Sequence, residues 1–225
     1  MTVQTLLSLD IEPLTPMDSI GEALYRLADN DVEQLPVVDA EGRLQTLVGE
    51  DDLLDRIDQS DSVQSVAGYG ALFVGSEAHW YDAASMLALH HLSVLPVVDR
   101  TGQYVGLIRR SDLFDRFAGT LSTGSSGAIL IVEVGPREFS LSQLVHLIEQ
   151  SDARVLSIST QGQEQTPEQG PLPILMTIKL NTADTSRVKH VLEHHGYRVT
   201  SAYKEDETDD VFNHRLAEFL RYLEV

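Results

Sequence analysis

The sequence predicts a protein of mixed α+β and α/β class. A small duplicated unit is followed by a βαββαβ domain and a C-terminal helix. The pentapeptide LPVVD occurs at residues 35–39 and again, 60 positions later, at residues 95–99. Identical residues continue at that offset, from Ala23 and Ala83 to Arg56 and Arg116. A fixed period of this kind indicates a duplicated structural unit. After residue 127 the pattern of strands and helices changes, which indicates a different domain.

Each copy is predicted to run strand, helix, strand, strand, helix. The first has an extended piece at 11–14, a helix capped by Asp18 or Ser19, strands at 35–39 and 44–48, and a helix opened by Asp51 or Asp52. The second has a strand at 72–74, a helix capped by Ser76 and running to Leu89, strands at 95–99 and 104–108, and a helix from Ser111 and Asp112 to Ala118. Polar caps and turn glycines (Gly42, Gly102) set these boundaries.

The remaining third is predicted to form a four-stranded antiparallel sheet backed by two helices. Strands are expected at 128–134, 155–159, 174–180 and 197–203, and helices from Leu141 to Ile148 and from Thr182 or Asp184 to His195. In the first helix, Leu141, Leu144, Val145 and Ile148 form the predicted apolar stripe. The expected domains are 1–62 and 63–120, a linker at 121–127, a third domain at 128–204, and an acidic tail with an amphipathic helix at 205–225.

Composition narrows the classes of function. The formal net charge is -19, from 35 acidic and 16 basic residues, which argues against non-specific binding to nucleic acid or to an anionic membrane. The absence of cysteine excludes disulfides and thiolate metal sites. No apolar run reaches the roughly 18 residues of a membrane span, and the N-terminus lacks the pattern of a signal peptide. We therefore expect a soluble, cytoplasmic protein.

The doubled LPVVD, the turn glycine and the aspartate that opens each closing helix resemble a tandem pair of cystathionine-β-synthase (CBS) domains over about residues 5–118. The βαββαβ segment that follows resembles an ACT domain of ferredoxin-like topology, and the whole layout resembles the AcuB family of acetoin-utilisation regulatory proteins. The resemblance implies a non-enzymatic regulatory protein that needs no cofactor and acts as a homodimer, with a further protein target left unidentified. It implies AMP, ADP, ATP or S-adenosylmethionine as the regulatory ligand.

By this resemblance, Asp52 and Asp112 are expected to hold the ribose hydroxyls of an adenosine ligand. A carboxylate can accept two hydrogen bonds from a vicinal diol; helix capping without any ligand is the alternative. The family usually has Thr or Ser three residues earlier, where this chain has Gly49 and Arg109. Arg109 suits a phosphate contact, but equally the filling of the cleft or a pair with an acidic neighbour.

Two apolar segments complete the predicted site. Leu35 and Pro36 in the first copy, and Val94, Leu95 and Pro96 in the second, are expected to face a flat base. Burial in a strand explains the same residues equally well.

Other chemistry is not indicated. His190 and His194 share a helix face, but no carboxylate at matching spacing completes a metal site. No nucleophile constellation and no phosphate-binding glycine motif occurs, so we expect no enzyme. A second hypothesis is an interaction scaffold with decayed pockets, consistent with Gly49 and with the turn at 135–140, which lacks a glycine immediately before the helix.

Overall fold

The computed structural model describes residues 2–55, 58–66, 68, 70–135, 140–161 and 173–204. The chain divides into two compact units, Met1–Arg116 and Phe117–Val225. No helix in the described part of the chain is long and apolar enough to cross a membrane.

The first unit contains the two copies predicted from the sequence, and their elements begin at positions 60 residues apart. The first copy consists of α1 (Ile20–Asp29), β1 (Gln34–Val38), β2 (Leu44–Gly49) and α2 (Glu50–Leu54). The second consists of β3 (Val74–Gly75), α3 (Trp80–Leu89), β4 (Val94–Val98), β5 (Tyr104–Arg109) and α4 (Arg110–Thr120). The tandem repeat of mixed helices and strands is therefore confirmed.

Each copy is organised around an antiparallel hairpin, β1 with β2 and β4 with β5. The entry strands are much shorter than predicted. In the second copy, the entry strand is the two-residue β3, which pairs in parallel with β4. In the first copy, the entry segment forms a single β-bridge between Leu14 and Val37. Leu14 still makes two backbone hydrogen bonds to β1, to Pro36 and from Val38, so the entry segment is held in register.

The last residue of each LPVVD segment holds the hairpin turn. Asp39 Oδ1 and Asp99 Oδ1 each accept hydrogen bonds from the backbone N–H groups two and four residues further on, at 2.8–3.1 Å. Gly42 and Gly102 have φ of 79° and 83°, in the left-handed region that suits glycine. The repeated aspartate is thus explained by turn geometry alone.

The apolar strands form a core that both copies share. Ile20 and Leu27 of α1 and Leu35 and Val37 of β1 are buried in one cluster that also contains Val94 and Leu107 of the second copy. Full burial of side chains this size contributes roughly 1.5–3 kcal/mol each. Because the cluster spans the two copies, neither hairpin buries its apolar face alone.

An N-terminal segment that was not predicted packs on the second copy. A short 3-10 helix at Val3–Leu6 lies against α3, and Val3 is fully buried. The predicted cap of α3 was wrong: the helix begins three residues later than expected, with His79 at the N-cap accepting a hydrogen bond from Tyr81 N–H. Ser76 N–H instead donates to Val98 and its carbonyl accepts from Gln4.

The second unit follows the strand, helix, strand, strand, helix, strand order predicted from the sequence. Its elements are β6 (Ala128–Val134), α5 (Leu141–Glu149), β7 (Val155–Gln161), β8 (Ile174–Leu180), α6 (Ser186–His194) and β9 (Arg198–Lys204). The sheet is antiparallel in the order β7-β8-β6-β9. Alternate residues of β6 are buried with the inward residues of α5 and α6, which forms a core separate from that of the first unit.

One part of the α5 prediction was wrong. Leu141 is 46% exposed, whereas Leu147, which was left out of the predicted stripe, is 5% exposed and belongs to the core. Leu144 and Ile148 are buried as expected. The predicted loop at 162–171, most of the turn at 135–140, and the acidic tail and amphipathic helix at 205–225 lie outside the described residues.

Candidate functional site

The two copies meet at equivalent residues, and Ser93 is the centre of that junction. Ser93 Oγ accepts a hydrogen bond from Glu33 N–H at 3.0 Å and donates to Gln34 Oε1 at 2.9 Å. Ser93 N–H donates to the same Gln34 oxygen at 2.8 Å. Glu33 and Ser93 are themselves 60 residues apart, so the junction lies where an internal two-fold relates the copies. Ser93 is 9% exposed and its polar atoms are satisfied.

A cleft of about 380 Å³ opens at this junction. Its walls come from both copies, with these lining residues: Leu27, Ala28, Asp31, Val32, Glu33, Glu50, Ser93 and Arg110. The volume is within the range of small-molecule sites, roughly 300–1,000 Å³. Three carboxylates and one guanidinium line the cleft, so its electrostatic character is acidic.

The two closing helices start at the cleft in the same way. Glu50 N–H, at the start of α2, donates to the Glu33 carbonyl at 3.0 Å, and Arg110 N–H, at the start of α4, donates to the Ser93 carbonyl at 2.8 Å. The Arg110 side chain lies 3.8 Å from Glu33 Oε1. These matched bonds fix where each closing helix leaves the junction.

Asp112, on α4, is held by a side-chain network whose members do not line the cleft. Ser8 Oγ donates to Asp112 Oδ2 at 2.6 Å and Arg109 Nε donates to the same oxygen at 3.0 Å. Arg109 Nη2 also pairs with Asp10 Oδ2 at 3.2 Å. The hydrogen bond from Arg109 to Asp112 raises the pKa of the guanidinium, against a smaller lowering by burial. Arg109 is thus paired with acidic neighbours, one of the alternatives the sequence left open.

Asp52 has a simpler environment. Its Oδ2 accepts a hydrogen bond from Gly49 N–H at 3.0 Å, which is a cap on the first turn of α2. Because Gly49 has no side chain, the first copy has no counterpart of the Arg109 network. The two halves of the predicted site are therefore unequal in charge and in contacts.

The five apolar residues predicted to face a base are all buried in β1 and β4. These are Leu35, Pro36, Val94, Leu95 and Pro96. None of them, and none of Asp52, Arg109 and Asp112, is among the residues that line the 380 Å³ cleft. The cleft is lined instead by their chain neighbours Glu33, Ser93 and Arg110.

The prediction from sequence missed most of the cleft residues and the N-terminal contacts. Glu33 and Ser93, and likewise Glu50 and Arg110, are pairs at the 60-residue offset next to the predicted positions. Comparing residues that differ between the copies, as well as those that match, would have found them. Ser8 and Asp10 gave no such signal, because their segment packs on the second copy and not on its own.

A second cleft, of about 200 Å³, lies in the second unit. Glu133, Gly135, Gln143, His195 and Tyr197 are among the residues that line it. Within the described ranges, no group of three or more histidine or acidic side chains is placed to hold a metal ion.

Comparison with known proteins identifies the first unit. The CBS domain family model matches residues 3–59 and 65–119. A CBS domain-containing protein of Dictyostelium discoideum is 26% identical over 128 residues, covering 50% of this chain and 88% of that protein. The inosine-5'-monophosphate dehydrogenase of Methanocaldococcus jannaschii is 24% identical over 132 residues, but the match covers only 27% of that enzyme and 58% of this chain.

Two solved structures are also similar. A CBS domain pair/ACT domain protein from Thermotoga maritima has a TM-score of 0.50 and 25% identity, covering 54% of this chain and 100% of that one. A putative acetoin utilization protein (AcuB) from Vibrio cholerae has a TM-score of 0.49 and 22% identity, covering 55% of this chain and 95% of that one. The family model matches two successive segments of the chain, and these segments fold around a shared core. The chain therefore belongs to the CBS domain family.

Proposed function

We propose that the CBS pair is a regulatory sensor that binds an adenosine-containing metabolite in the cleft between its two halves. AMP, ADP, ATP and S-adenosylmethionine are the candidates. The observation that carries the proposal is the 380 Å³ cleft at the junction of Glu33 with Ser93. A ligand there touches both copies at once, so its binding free energy depends on how they are arranged.

Asp112 does not line the 380 Å³ cleft, but it follows Arg110, which does, by two residues. We propose that the ligand extends from the cleft to Asp112, which binds the ribose diol. Its Oδ2 is engaged by Ser8 and Arg109, and its second oxygen, Oδ1, would accept from the ligand. Asp52 has the equivalent role in the first copy. Leu35, Pro36, Val94, Leu95 and Pro96 would support the base from beneath as the buried strands β1 and β4.

The proposed output is a change in homodimer arrangement or in the binding of a partner protein. Leu54 of α2 and Phe114 of α4 are exposed by 59% and 71% and occupy equivalent positions, 60 residues apart, in the two copies. The internal two-fold therefore repeats an apolar position on both closing helices. Such a repeated patch suits a self-complementary interface between two copies of this chain.

We further propose that the second unit is an ACT-like domain of ferredoxin-like topology. Its βαββαβ order and its strand order support this. A similar solved protein, from Thermotoga maritima, is described as a CBS domain pair/ACT domain protein. The 200 Å³ cleft beside Gly135 and Gly196 is the place where an amino-acid ligand would be sought. We propose a regulatory role without enzymatic activity, because the match to the Methanocaldococcus jannaschii dehydrogenase covers only 27% of that enzyme.

Thermal unfolding with a ligand panel tests the sensor. A ligand at 100 times its dissociation constant adds about 2.7 kcal/mol, a shift of several degrees. We expect at least one adenosine compound to raise the melting temperature of the wild type. Asp112→Ala should abolish the shift, while Asp115→Ala, which changes an exposed aspartate one turn further along α4, should keep it.

The second hypothesis is a scaffold without a working pocket. The observation that favours it is the pairing of Arg109 with Asp10 and Asp112, together with the missing side chain at Gly49. It predicts a constitutive dimer whose melting temperature responds to none of these compounds. A shift with amino acids alone would instead assign sensing to the second unit.

A further inference from the structure

The N-terminal segment and the segment between the two copies begin in matching ways. A short 3-10 helix starts at Val3, and another starts at Val63, 60 residues later. Val3 N–H donates to the Ala78 carbonyl at 2.9 Å, and Val63 N–H donates to the Asp18 carbonyl at 2.8 Å. Because Ala78 and Asp18 are also 60 residues apart, each segment packs on the opposite copy at an equivalent place. The two segments can therefore be compared position by position.

The first segment makes polar contacts to the second copy at residues 7–10, which we call the strap. Ser8 is 7% exposed, and its hydroxyl donates to Asp112 Oδ2 at 2.6 Å. Asp10 Oδ2 lies 3.2 Å from Arg109 Nη2, and Arg109 Nε donates to the same Asp112 oxygen at 3.0 Å. The strap thus contacts Asp112 directly through Ser8 and indirectly through Arg109.

The close approach of the strap to β5 depends on Gly106. An added Cβ at Gly106 would lie 3.1–3.2 Å from the Leu7 and Leu9 side chains. At the equivalent position of β2 the residue is Thr46, which carries a side chain where Gly106 has none. The second copy therefore has room for a strap that the first copy lacks.

The segment that crosses the first copy also lacks the polar groups of the strap. The counterparts of Ser8, Asp10 and Arg109 are all glycines, at positions 68, 70 and 49. Among the described residues, no atom beyond the chain neighbours lies within 4 Å of a Cβ added at position 68 or 70. Side-chain contacts from the strap to the aspartate of the closing helix are thus specific to the second copy.

The Ser8 hydroxyl offers Asp112 the same chemistry as a ribose hydroxyl, namely an O–H donor to a carboxylate oxygen. A vicinal diol binds a carboxylate best when each hydroxyl has an oxygen of its own. At Asp112, however, Oδ2 already accepts bonds from Ser8 and Arg109. A ribose therefore competes with a group of the same chain for one of the two oxygens.

We propose that the strap is an autoinhibitory element, and that an adenosine ligand reaches full contact with Asp112 by displacing the Ser8 hydroxyl. The inference rests on the proposed sensor function and adds a regulation of the same site. The strapped and released states differ in ligand affinity, so binding shifts the population toward the released state. Residues 7–10 leave β5 in that state, while the 3-10 helix at Val3–Leu6 stays on α3.

Isothermal titration of the full chain with AMP, ADP, ATP and S-adenosylmethionine compares the wild type with Ser8→Ala. The variant should bind about three- to tenfold more tightly, because the ligand no longer has to displace one hydrogen bond. Thr5→Ala is the matched control: Thr5 is exposed in the same segment and its hydroxyl bonds to the Thr2 carbonyl, so the affinity should not change. Circular dichroism at the titration temperature checks that both variants are folded.

Hydrogen exchange of backbone amides gives a second readout, which a purely structural role of Ser8 would not produce. Ser8 N–H donates to the Leu107 carbonyl at 2.8 Å and is protected while the strap is seated. Saturation with the compound that binds most tightly should speed this exchange several-fold. Val3 N–H, which is bonded to Ala78, is the internal control and should keep its protection.

The outcomes separate the inference from the sensor function. Equal or weaker binding by Ser8→Ala would overturn the inference, make Ser8 a positioning residue for Asp112 and leave the sensor in place. Unchanged or slower exchange at Ser8 in the presence of ligand would overturn it as well. Absence of binding by both wild type and variant to all four compounds would overturn both proposals. Tighter binding by the variant together with faster exchange at Ser8 supports both.

Discussion

Ser8 and Asp112 are 104 positions apart in the chain and are joined by a 2.6 Å hydrogen bond from Ser8 Oγ to Asp112 Oδ2. Ser8 also pairs with β5 through backbone bonds to and from Leu107. The N-terminal segment thus crosses the second copy and ends at the proposed ribose carboxylate. This contact brings the start of the first family-model match, residues 3–59, to the candidate site of the second copy.

Ser8→Ala should destabilise the first unit by about 1 kcal/mol, since a hydrogen bond to a partly exposed carboxylate is lost while Arg109 still pairs with Asp112. Urea unfolding measures the change. Thr5→Ala is the control, because Thr5 Oγ1 bonds only to the nearby Thr2 carbonyl and is exposed. Equal losses in the two variants would show that the Asp112 contact contributes nothing specific.

Gly106→Ala should lower the free energy of unfolding by roughly 1–3 kcal/mol. The reason is that φ at Gly106 is +143° and an added Cβ would lie 3.1–3.2 Å from the Leu7 and Leu9 side chains. The N-terminal segment covers this glycine closely. Gly119→Ala, near the end of α4, meets no atom within 4 Å and should be neutral or stabilising by up to about 1 kcal/mol. Chemical denaturation measures the free energy of unfolding of both variants. The prediction fails if Gly106→Ala is as stable as the wild type.

Leu147→Ala and Leu141→Ala compare two leucines of the same helix. Leu147 is in the core of the second unit, so Leu147→Ala should lower the free energy of unfolding by about 2–5 kcal/mol. Leu141 is exposed, so Leu141→Ala should lower it by less than about 1 kcal/mol. Circular dichroism during denaturation gives both values. The reverse order would mean that the sequence-based stripe, and not the observed packing, describes α5.

The Asp99 carboxyl should titrate below its ordinary pKa of about 3.9. The hydrogen bond from the Thr101 hydroxyl is the largest cause of the lowered pKa, followed by that from Gln103 N–H. A lowered folded-state pKa gives stability that is present above the unfolded pKa and is lost as pH falls through the folded value. NMR of the Asp99 carboxyl group measures this pKa directly. Thr101→Ala should raise the pKa toward the ordinary value. An unchanged pKa in this variant would contradict the assigned cause.

Phe114→Glu should convert the proposed homodimer to a monomer, because it places a charge in an apolar position repeated at Leu54. Both side chains are exposed in the single chain, so the fold should be retained. Light scattering measures the mass and circular dichroism checks the fold. Leu89→Glu, equally exposed at the end of α3, is the control and should leave the mass unchanged. A dimeric Phe114→Glu would assign the interface elsewhere.

The sequence by itself determined the duplication and the order of elements in both units. LPVVD predicted β1 and β4, and Gly42 and Gly102 predicted the turns, because strand periodicity and backbone preferences act within a few residues. Leu141 shows the limit of prediction from a local sequence pattern. Its spacing suits an apolar stripe, but whether a side chain is covered depends on the sheet beneath it, which a local pattern does not contain.

Only the tertiary structure decided which residues meet at the candidate site. Ser8 with Asp112, Asp10 with Arg109, and Glu33 with Arg110 are joined across long separations in the chain. Their contacts arise because the copies bury one common core and because the N-terminal segment crosses the second copy. The sequence could name the aspartate and the arginine, but their partners, and hence the charge of the cleft, follow from packing between distant segments.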